Sequence, residues 1–425
     1  MRDPVVSVGA LGTWSGGSTP AAVSNHWDGD VVWVTPKDMS TDYIRGSEDR
    51  LSEQGARRLR QFGVGDIAVV FRSGVLRHRV PVARGATRFT VNQDLKVLES
   101  GADTDAAFAF HALRGLEETI LLRAVKVGTT VESIDTSAFL SLSLFRPHLP
   151  EQSQIAAILD TIDDTIRKTE QIVAKLKQVK QGLLHDLLTR GIDDNGELRD
   201  PERHPEQFKD SPLGRIPRGW DVRPLDACVH PRAPITYGIV QAGPHVPDGV
   251  PYVRTGDMSG DRLALDGLLR TSPRVAASYM RSRVQTDEIV CAIRATVGKV
   301  LPVPRELDGA NLTQGTARIA PEPGTNPGFL LWALRGHGMQ RQFDLSVKGT
   351  TFPEITLAQL RRLLVPVPSH REEQDRIALV MQRAVAREDV ETADRNKLRL
   401  MKAGLMEDLL TGRVRVTKLL ESAAE

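Results

Sequence analysis

The chain has 425 residues, which is too long for one ordinary domain and predicts two or three folding units. Hydrophobic residues make up 40% of it and charged residues 26%, a composition that supports packed cores and excludes wholesale disorder. The 56 Lys and Arg residues against 54 Asp and Glu leave a formal net charge of +2, which excludes the bulk basicity of a non-specific nucleic-acid binder. A nucleic-acid partner would need positive charge concentrated in local patches.

The two cysteines, Cys228 and Cys291, lie far apart in the sequence. Their number and spacing exclude a disulfide framework and a Cys-x-x-Cys zinc site, and predict two buried apolar thiols. The histidines are predicted to be surface or polar core residues, so we expect no metal site. The first residues lack a charged segment followed by an apolar one, and no run approaches the ~18 apolar residues of a membrane span. We therefore expect a cytoplasmic protein without a membrane partner.

The two halves of the chain match each other at an offset of about 220 residues, which predicts a tandem duplication. Residues 33–40 correspond to 252–259, where an aromatic residue, a valine and an Asp-Met-Ser triplet keep their places. Further matches join 127–130 to 348–351 and, most extensively, 175–189 to 397–411.

Each half begins with a globule rich in Gly, Pro and short Val/Ile runs. Residues 67–71 and 288–293 predict buried strands, and residues 329–334 predict one of the helices interspersed among the strands. Turn residues recur at short intervals, so each globule is predicted to have a mixed α/β or α+β fold.

Each half ends in a segment without proline that has helical periodicity, at 151–189 and 372–411. A helix of this extent is about 60 Å long, more than one domain needs, and predicts a spacer. In the second helix, Glu388, Glu391 and Arg395 occupy the middle of the apolar seam, so we expect tight ends and a partly solvated middle. In the first helix, apolar residues alternate steps of four and three and only one member is polar: Ile155, Leu159, Ile162, Ile166, Thr169, Val173 and Leu176.

Residues 191–219 are charged, contain several prolines and have few apolar residues, which predicts a surface linker. The predicted organisation is a globule at 1–150, a long helix at 151–190, this linker at 191–219, a second globule at 220–371, a second long helix at 372–412 and a C-terminal tail at 413–425.

The order globule, helix, globule, helix predicts that the two long helices pair antiparallel, because the second helix begins at the second globule. Two similar globules would then be separated by a two-helix coiled coil and related by a pseudo-two-fold axis. Since duplex DNA rises about 3.4 Å per base pair, such a protein would contact two short half-sites with an unread gap between them.

Four runs of this sequence resemble the conserved regions of type I restriction-modification specificity subunits: WVTPKDM at 33–39, LPEQSQIA at 149–156, GLLHDLLT at 182–189 and GLMEDLLTGRV at 404–414. The resemblance spans nearly the whole chain. It implies that the globules are target recognition domains that bind double-stranded DNA, joined by two helices in an antiparallel coiled coil. It also implies two docked adenine methyltransferase subunits, which bind S-adenosylmethionine, and a separate motor-nuclease subunit in the full complex. A complete system and one that only methylates are both compatible with the sequence.

The two domains differ at their starts. The second opens with a Gly-Trp lead at Gly219 and Trp220, whereas the first begins at Met1 without one. A shortened first domain and a misassigned start both remain open.

No constellation in the sequence supports an enzyme. Asn326-Pro327-Gly328-Phe329 lacks the second proline of a base-flipping methyltransferase loop and predicts a helix start. Gly298-Lys299 lacks the spaced glycine and the Ser or Thr of a phosphate-binding loop. We expect a non-catalytic subunit that binds no cofactor itself.

Base readout requires Arg, Lys, Asn, Gln, Ser or Thr side chains on exposed loops. Candidates follow strand-like segments in corresponding parts of the two repeats, although a scattered arginine is usually a solvated surface residue. The predicted DNA-binding residues are Lys37, Arg72, Ser73, Arg77, Arg79, Arg254, Thr255, Arg294, Thr296, Lys299, Lys348 and Thr350.

Apolar residues at the ends of the long helices exceed what one two-helix seam can cover. They are buried against the adjoining globule or they form a docking surface for partner subunits. The predicted partner-binding residues are Leu184, Leu187, Leu188, Met406, Leu409 and Leu410.

Two hypotheses of different classes follow. In the first, the chain reads a bipartite DNA target and positions methyltransferase subunits over it. In the second, it is a coiled-coil scaffold that holds partner subunits and never contacts bases.

Overall fold

A computed structural model describes residues 5–21, 23–126, 131–349 and 353–416. The chain divides into two compact units, unit 1 with Met1–Gln171 and Thr392–Glu425 and unit 2 with Ile172–Glu391. Each unit therefore contains one globule together with part of both long helices.

Unit 1 has a mixed α/β fold around a five-stranded sheet of order β2-β9-β6-β7-β4, with a three-stranded sheet β5-β3-β8 and a β1-β12 pair beside it. Its strands are β1 (Val5–Ser7), β2 (Gly12–Gly16), β3 (Trp27–Val34), β4 (Tyr43–Ile44), β5 (Arg50–Leu51), β6 (Ile67–Val70), β7 (Val82–Gly85), β8 (Phe89–Val91), β9 (Leu95–Ser100), β10 (Val125–Lys126), β11 (Ser133–Ile134) and β12 (Ser143–Phe145). Its helices are α1 (Glu53–Ala56), α2 (Ala106–Gly115), α3 (Glu117–Arg123), α4 (Thr136–Ser141) and the first part of α5 (Leu149–Thr189).

Unit 2 repeats this plan with a four-stranded sheet of order β16-β22-β19-β20 and a three-stranded sheet β18-β17-β21. Its strands are β13 (Phe208–Ser211), β14 (Gly214–Pro217), β15 (Trp220–Pro224), β16 (Thr236–Tyr237), β17 (Val250–Val253), β18 (Arg270–Thr271), β19 (Ile289–Ala292), β20 (Val300–Pro302), β21 (Asn311–Leu312), β22 (Thr316–Ile319) and β23 (Leu364–Pro368). Its helices are α6 (Pro273–Ser278), α7 (Pro327–Arg335), α8 (His337–Ser346), α9 (Leu357–Arg362) and part of α10 (Arg371–Leu409).

The predicted duplication is confirmed at the level of topology. In each unit the aromatic strand of the sequence repeat pairs in parallel with a later strand, β3 with β8 and β17 with β21. The predicted buried strands are β6 and β19, whose residues are all buried, so both faces of the sheet are covered there. Each is flanked by antiparallel neighbours, β7 and β9 in unit 1 and β20 and β22 in unit 2.

The long helices pair as the periodicity predicts. Six of the seven seam residues of α5, from Ile155 to Val173, are buried. Thr169 is tolerated among them because its hydroxyl donates to the carbonyl oxygen of Thr165 at 2.9 Å. Within unit 1, Asp163 pairs with Lys402 and Glu170 with Arg399, each at 2.5 Å. Since the partner number falls as the α5 number rises, the two helices run antiparallel there.

One expectation for α10 was wrong. Glu388 was expected in a solvated stretch, but it is buried within unit 2. Lys180 on α5 reaches its carboxylate at 2.6 Å and supplies the charge that permits burial.

Each long helix begins with a buried glutamate that an arginine from elsewhere in the same unit neutralises. In unit 1, Arg415 donates two bonds to Glu151, at 2.8 and 2.6 Å, and holds the pKa of this carboxyl below its usual value. In unit 2, Arg199 donates to the two carboxylate oxygens of Glu373 at 2.5 and 3.1 Å. Both arginines lie in the segment that follows the other long helix.

The predicted surface linker at 191–219 is not a loose connection. It contains the β13-β14 hairpin, and Ile192, Phe208 and Ile216 are buried. The backbone N–H of Ile192 also donates to Glu373 at 3.0 Å. The prolines and charges suggested a linker, but its few apolar residues pack into unit 2.

Removal of the Arg199 side chain should destabilise unit 2 strongly, because Glu373 would remain buried without a cation. We expect Arg199→Ala to lower the free energy of unfolding by about 3 kcal/mol, measured by urea denaturation. The control is Arg203→Ala, whose arginine is exposed and lies 3.6 Å from Asp200; it should change stability by less than about 0.5 kcal/mol. Equal effects of the two substitutions would contradict this account.

A polar network attaches the globule of unit 1 to α5. Asp160 on α5 lies 2.8 Å from Nε2 of the buried His111 and accepts two bonds from Arg84, at 2.7 and 3.3 Å. Burial lowers the pKa of His111 below its usual value. Below about pH 6.5, His111 becomes protonated in the unfolded chain but stays neutral in the folded chain.

The stability of unit 1 should therefore fall as the pH drops below about 6.5, down to the folded-state pKa of His111. We expect His111→Gln, which cannot titrate, to flatten this part of the profile when urea midpoints are measured between pH 7 and pH 5. An unchanged slope in the variant would show that His111 does not cause the loss.

Candidate nucleic-acid interface

Three loops meet at one edge of each unit. We call them the crossing loop (17–20 in unit 1, 238–241 in unit 2), the glutamine turn (92–94 and 313–315) and the arginine turn (72–73 and 294–296). The glutamine turn follows β8 or β21, and the arginine turn lies beyond β6 or β19.

A glycine places the crossing loop against the end of a strand. A Cβ at Gly17 would lie 1.8 Å from the carbonyl oxygen of Val91, and a Cβ at Gly238 would lie 1.8 Å from that of Leu312. The next residue donates its backbone N–H to the same oxygen, Ser18 at 3.1 Å and Ile239 at 2.7 Å. A side chain at the glycine would displace the loop.

Backbone hydrogen bonds join the arginine turn to the glutamine turn. In unit 1, Phe71 and Arg72 both donate to the carbonyl oxygen of Asp94, at 2.7 and 3.1 Å. In unit 2, Ile293 donates to that of Gly315 at 2.9 Å. The two turns therefore form one continuous edge in each unit.

The Asp-Met pair of the sequence repeat is structural. Asp38 accepts the backbone N–H of Thr35, and Asp257 that of Arg254, each at 2.8 Å. These bonds cap a short 3-10 turn after β3 and β17.

In unit 2 the edge brings together several predicted DNA-binding residues. A Cβ built on Gly315 would lie 3.1 Å from Thr255 and 3.8 Å from Arg294, so these two side chains flank the glutamine turn. Arg294 lies 3.2 Å from Glu354, whose backbone pairs with Lys348. Thr255, Arg294 and Lys348 therefore belong to one surface.

The remaining predicted residues of unit 2 are placed differently. Thr296 lies on the arginine turn, where its carbonyl accepts the N–H of Lys299 at 3.1 Å. Lys299 itself donates to the carbonyl oxygen of Ser259 at 3.0 Å. Arg254 makes two bonds with Asp257, at 3.0 and 2.8 Å, which raise the pKa of its guanidinium and hold it in an internal pair. Thr350 lies outside the described residues.

In unit 1, Arg72 and Arg79 are exposed, and neither forms an ion pair with a residue that the structure describes. Lys37 is also exposed and lies 3.8 Å from Glu48, a contact too long and too solvated to hold it. Ser73 uses its hydroxyl to cap the short turn Gly74–Arg77. Of these residues, Arg72 lies on the arginine turn and leaves its charge available at the edge.

Arg77 has a structural role. Its Nε donates at 2.5 Å to Glu132, a nearly buried carboxylate, and this bond lowers the pKa of Glu132. The Arg77 side chain is still 60% exposed, so its contact with DNA stays a prediction beside this structural role.

Sequence reasoning missed Gln93 and Gln314, which occupy the same place in the two glutamine turns. Gln93 is exposed and Gln314 partly exposed. The signal was a glutamine two residues after the apolar end of β8 and β21, which an extension of the repeat alignment would have found.

The partner-binding predictions divide into three groups. Leu187 and Leu409 are wrong as docking residues, because they are 1% and 3% exposed and pack in the cores of units 2 and 1. Leu188 and Leu410 pack against Gly336 and Gly115 of their own units. Leu184 and Met406 are only partly buried.

A groove beside the helix end occurs in both units. In unit 1 it encloses about 880 Å³ and is lined by Gly115, Phe145, Met406 and Leu410 among others. The corresponding groove of unit 2 encloses about 640 Å³ and has Leu188 and Met339 in its wall.

Other apolar side chains on the long helices are more exposed, and sequence reasoning missed them because they lie off the seam. They include Ile172, Val179, Leu379, Val390, Leu400 and Met401.

The predicted cysteine environment is confirmed. Cys228 and Cys291 are buried free thiols, and burial raises their pKa values to about 11 and about 12. Asn326 caps α7 by accepting the N–H of Phe329 at 2.9 Å, as the helix-start interpretation predicts. Within the described ranges, no cluster of three or more His, Cys, Asp or Glu side chains could hold a metal ion. The described helices include none long and apolar enough to cross a membrane.

Comparison with known families decides the identity. The type I restriction modification DNA specificity domain matches residues 4–178 and again 244–400, most of the chain. The chain belongs to this family. The two matches also place one specificity domain in each half of the sequence.

Two relatives of this specificity-domain protein are specificity subunits of type I restriction enzymes. Over 297 residues it is 28% identical to the EcoBI specificity subunit of Escherichia coli, a match that covers 68% of this chain and 61% of the relative. Against the EcoR124I/EcoR124II specificity subunit of Escherichia coli the identity is 30%, over 43% of this chain and 47% of the relative. The matched region thus spans about half to three fifths of these two proteins.

A solved structure shares the fold. The S subunit of a type I restriction-modification system from M. genitalium superimposes with a TM-score of 0.58 at 14% identity, over 96% of both chains. A chain from another type I system gives the same TM-score at 18% identity, over 97% of this chain and 100% of that one.

The crossing loop provides a test of the edge. Gly238→Ala would force a methyl group against the backbone of Leu312, so we expect it to lower the free energy of unfolding by about 1–3 kcal/mol in urea denaturation. Gly256→Ala is the control, because nothing lies within 4 Å of a Cβ there. If both variants were equally stable, the glycine would not be required by packing.

Proposed function

We propose that this chain is the DNA sequence-recognition subunit of a type I restriction-modification complex and reads a bipartite target with an unread spacer. The observation that carries the proposal is the duplicated edge, in which the same three loops recur in both units. Two equivalent reading surfaces in one chain suit two half-sites. Family membership favours this function over a scaffold that never contacts bases.

The side chains of the two edges have the chemistry that base readout requires. Arginine donates to the O6 and N7 atoms of guanine, and Lys and Arg also neutralise phosphates. Unit 1 offers Lys37, Arg72 and Arg79. Unit 2 offers Arg294 and Lys348, with Thr255, Thr296 and Lys299 beside them. The near-neutral net charge fits this arrangement, because the positive charge is local.

The partners in this proposal are double-stranded DNA and two adenine methyltransferase subunits, with a motor-nuclease subunit in a full complex. Methyl transfer belongs to the methyltransferase subunits, which would bind S-adenosylmethionine, while this chain is non-catalytic and binds no cofactor. The exposed apolar side chains of α5 and α10, such as Val179 and Leu400, support docking of partners along the long helices.

Genome-wide methylation mapping tests the proposed function. Co-expression of this chain with its cognate partner subunits should produce one two-part methylated motif. Exchange of residues 1–150 for another such domain should change one half of the motif only, because each half is read by a separate edge. Absence of any motif that depends on this chain would refute the proposal and support the scaffold hypothesis.

Substitution of the exposed apolar residues tests partner docking. We expect Leu400→Glu and Val179→Glu to reduce co-purification of the methyltransferase subunit at least ten-fold, because each places a charge in an apolar contact. The control is Leu122→Glu, which alters a leucine on α3 that is about as exposed as Leu400. Full co-purification with both helix variants would exclude this surface.

A further inference from the structure

We propose that Gln93 and Gln314 are specificity-determining residues, each of which reads one base in its own half-site, with adenine as the preferred base. The inference rests on the proposed function and deepens it, because it names the side chains and the base. Neither glutamine belonged to the charged clusters that the sequence indicated.

In unit 1 the glutamine turn is held rigidly. Asn92 donates its backbone N–H to Val34 at 3.0 Å, and its side chain bonds both the backbone and the carboxylate of Asp94, at 3.0 and 2.9 Å. The side chain of Gln93, between these two residues, is left on the exposed side of the turn.

The crossing loop orients the Gln93 amide. The hydroxyl of Thr19 donates to Oε1 of Gln93 at 2.6 Å, which uses one lone pair of that oxygen. The second lone pair and the amide NH₂ remain able to face a ligand. The amide thus presents an acceptor and a donor side by side, restrained by its hydrogen bond with Thr19.

In unit 2 a different set of bonds holds the same turn. Thr313 donates its hydroxyl to Val253 and accepts at its carbonyl the hydroxyl of Thr316, both at 3.2 Å. Gln314 donates its backbone N–H to Ile239 of the crossing loop at 2.9 Å. The turn is thus anchored on both sides of the glutamine.

The neighbours of Gln314 are the predicted DNA-binding residues. The next residue, Gly315, lies between Thr255 and Arg294. Gln314 is therefore at the centre of the edge, with a cation on one side. When Arg294 contacts a phosphate or a guanine, the Gln314 side chain would reach the base edges on the floor of the DNA groove.

The donor and acceptor of a glutamine amide match adenine in the major groove. The amide accepts from N6 and donates to N7 of adenine, a bidentate pair that no other base offers in that order. Loss of one such pair should reduce discrimination at that position by about ten-fold or more.

The two turns differ at one point. Where unit 1 has Thr19 beside the amide, the crossing loop of unit 2 has Val240, whose side chain cannot form a hydrogen bond with Gln314. Gln93 should therefore discriminate its base more strictly than Gln314.

The test is methylation mapping of the complete complex that contains Gln93→Ala, Gln314→Ala or Gln93→Glu. Gln93→Ala should relax one position in one half of the motif, and Gln314→Ala one position in the other half. Gln93→Glu should reject adenine at the same position, because a carboxylate only accepts hydrogen bonds. The controls are Gln61→Ala and Gln285→Ala, two exposed glutamines outside the edge, which should leave the motif unchanged.

Each glutamine is judged by its own half of the motif. A motif unaltered by substitution of a glutamine, or a uniform loss of methylation at all sites, would overturn its role in base reading. These results differ from failure of the proposed function, in which the wild-type complex itself would give no bipartite motif. Thermal unfolding midpoints, measured for every variant, should stay at the wild-type value if the substitutions leave the fold intact.

Discussion

The buried glutamate at the start of each long helix is the constraint on which both units depend. Glu151 and Glu373 are almost fully buried and are neutralised by Arg415 and Arg199. A buried carboxylate without a cation would be costly, so each helix start requires the segment that follows the other helix. For this reason unit 1 joins the N-terminal globule to the C-terminal end of the chain, and unit 2 is built from the middle. Neither unit is a simple half of the sequence.

The two units present the same edge with partly different side chains. The backbone elements are repeated: Gly17 and Gly238 admit the crossing loops, and Asp38 and Asp257 cap the 3-10 turns. The side chains of the edge are repeated only in part: Arg72 corresponds to Arg294, but Ser73 stands where unit 2 has Ala295. A fixed frame that carries variable side chains can read two different half-sites without a change of fold. Two of the predicted cations, Arg77 and Arg254, also form ion pairs within the frame, with Glu132 and Asp257.

The parts of the fold that depend on local periodicity could be predicted from the sequence. The seam from Ile155 to Val173 and the buried strand Ile67–Val70 follow directly from spacing and composition. Features that depend on residues distant in the sequence could not be predicted. Nothing local indicates that Gly238 faces the carbonyl of Leu312, that Lys180 permits burial of Glu388, or that Ile192 and Phe208 fill a core. Leu187 and Leu409 were misassigned for the same reason, because a helical pattern shows which residues are apolar but not which surface covers them. Among the site residues, charge and position in the repeat predicted several residues of the edge. Gln93 and Gln314 carry no charge, so this criterion did not select them.

Hydroxyl-radical footprinting of the complete complex on its own target tests the central claim most directly. The account predicts two protected stretches of DNA separated by an unprotected gap. Protection of one stretch should weaken with Arg72→Ala and that of the other with Arg294→Ala. A single continuous footprint, or loss of the same stretch in both variants, would contradict the claim that each unit reads its own part of the DNA.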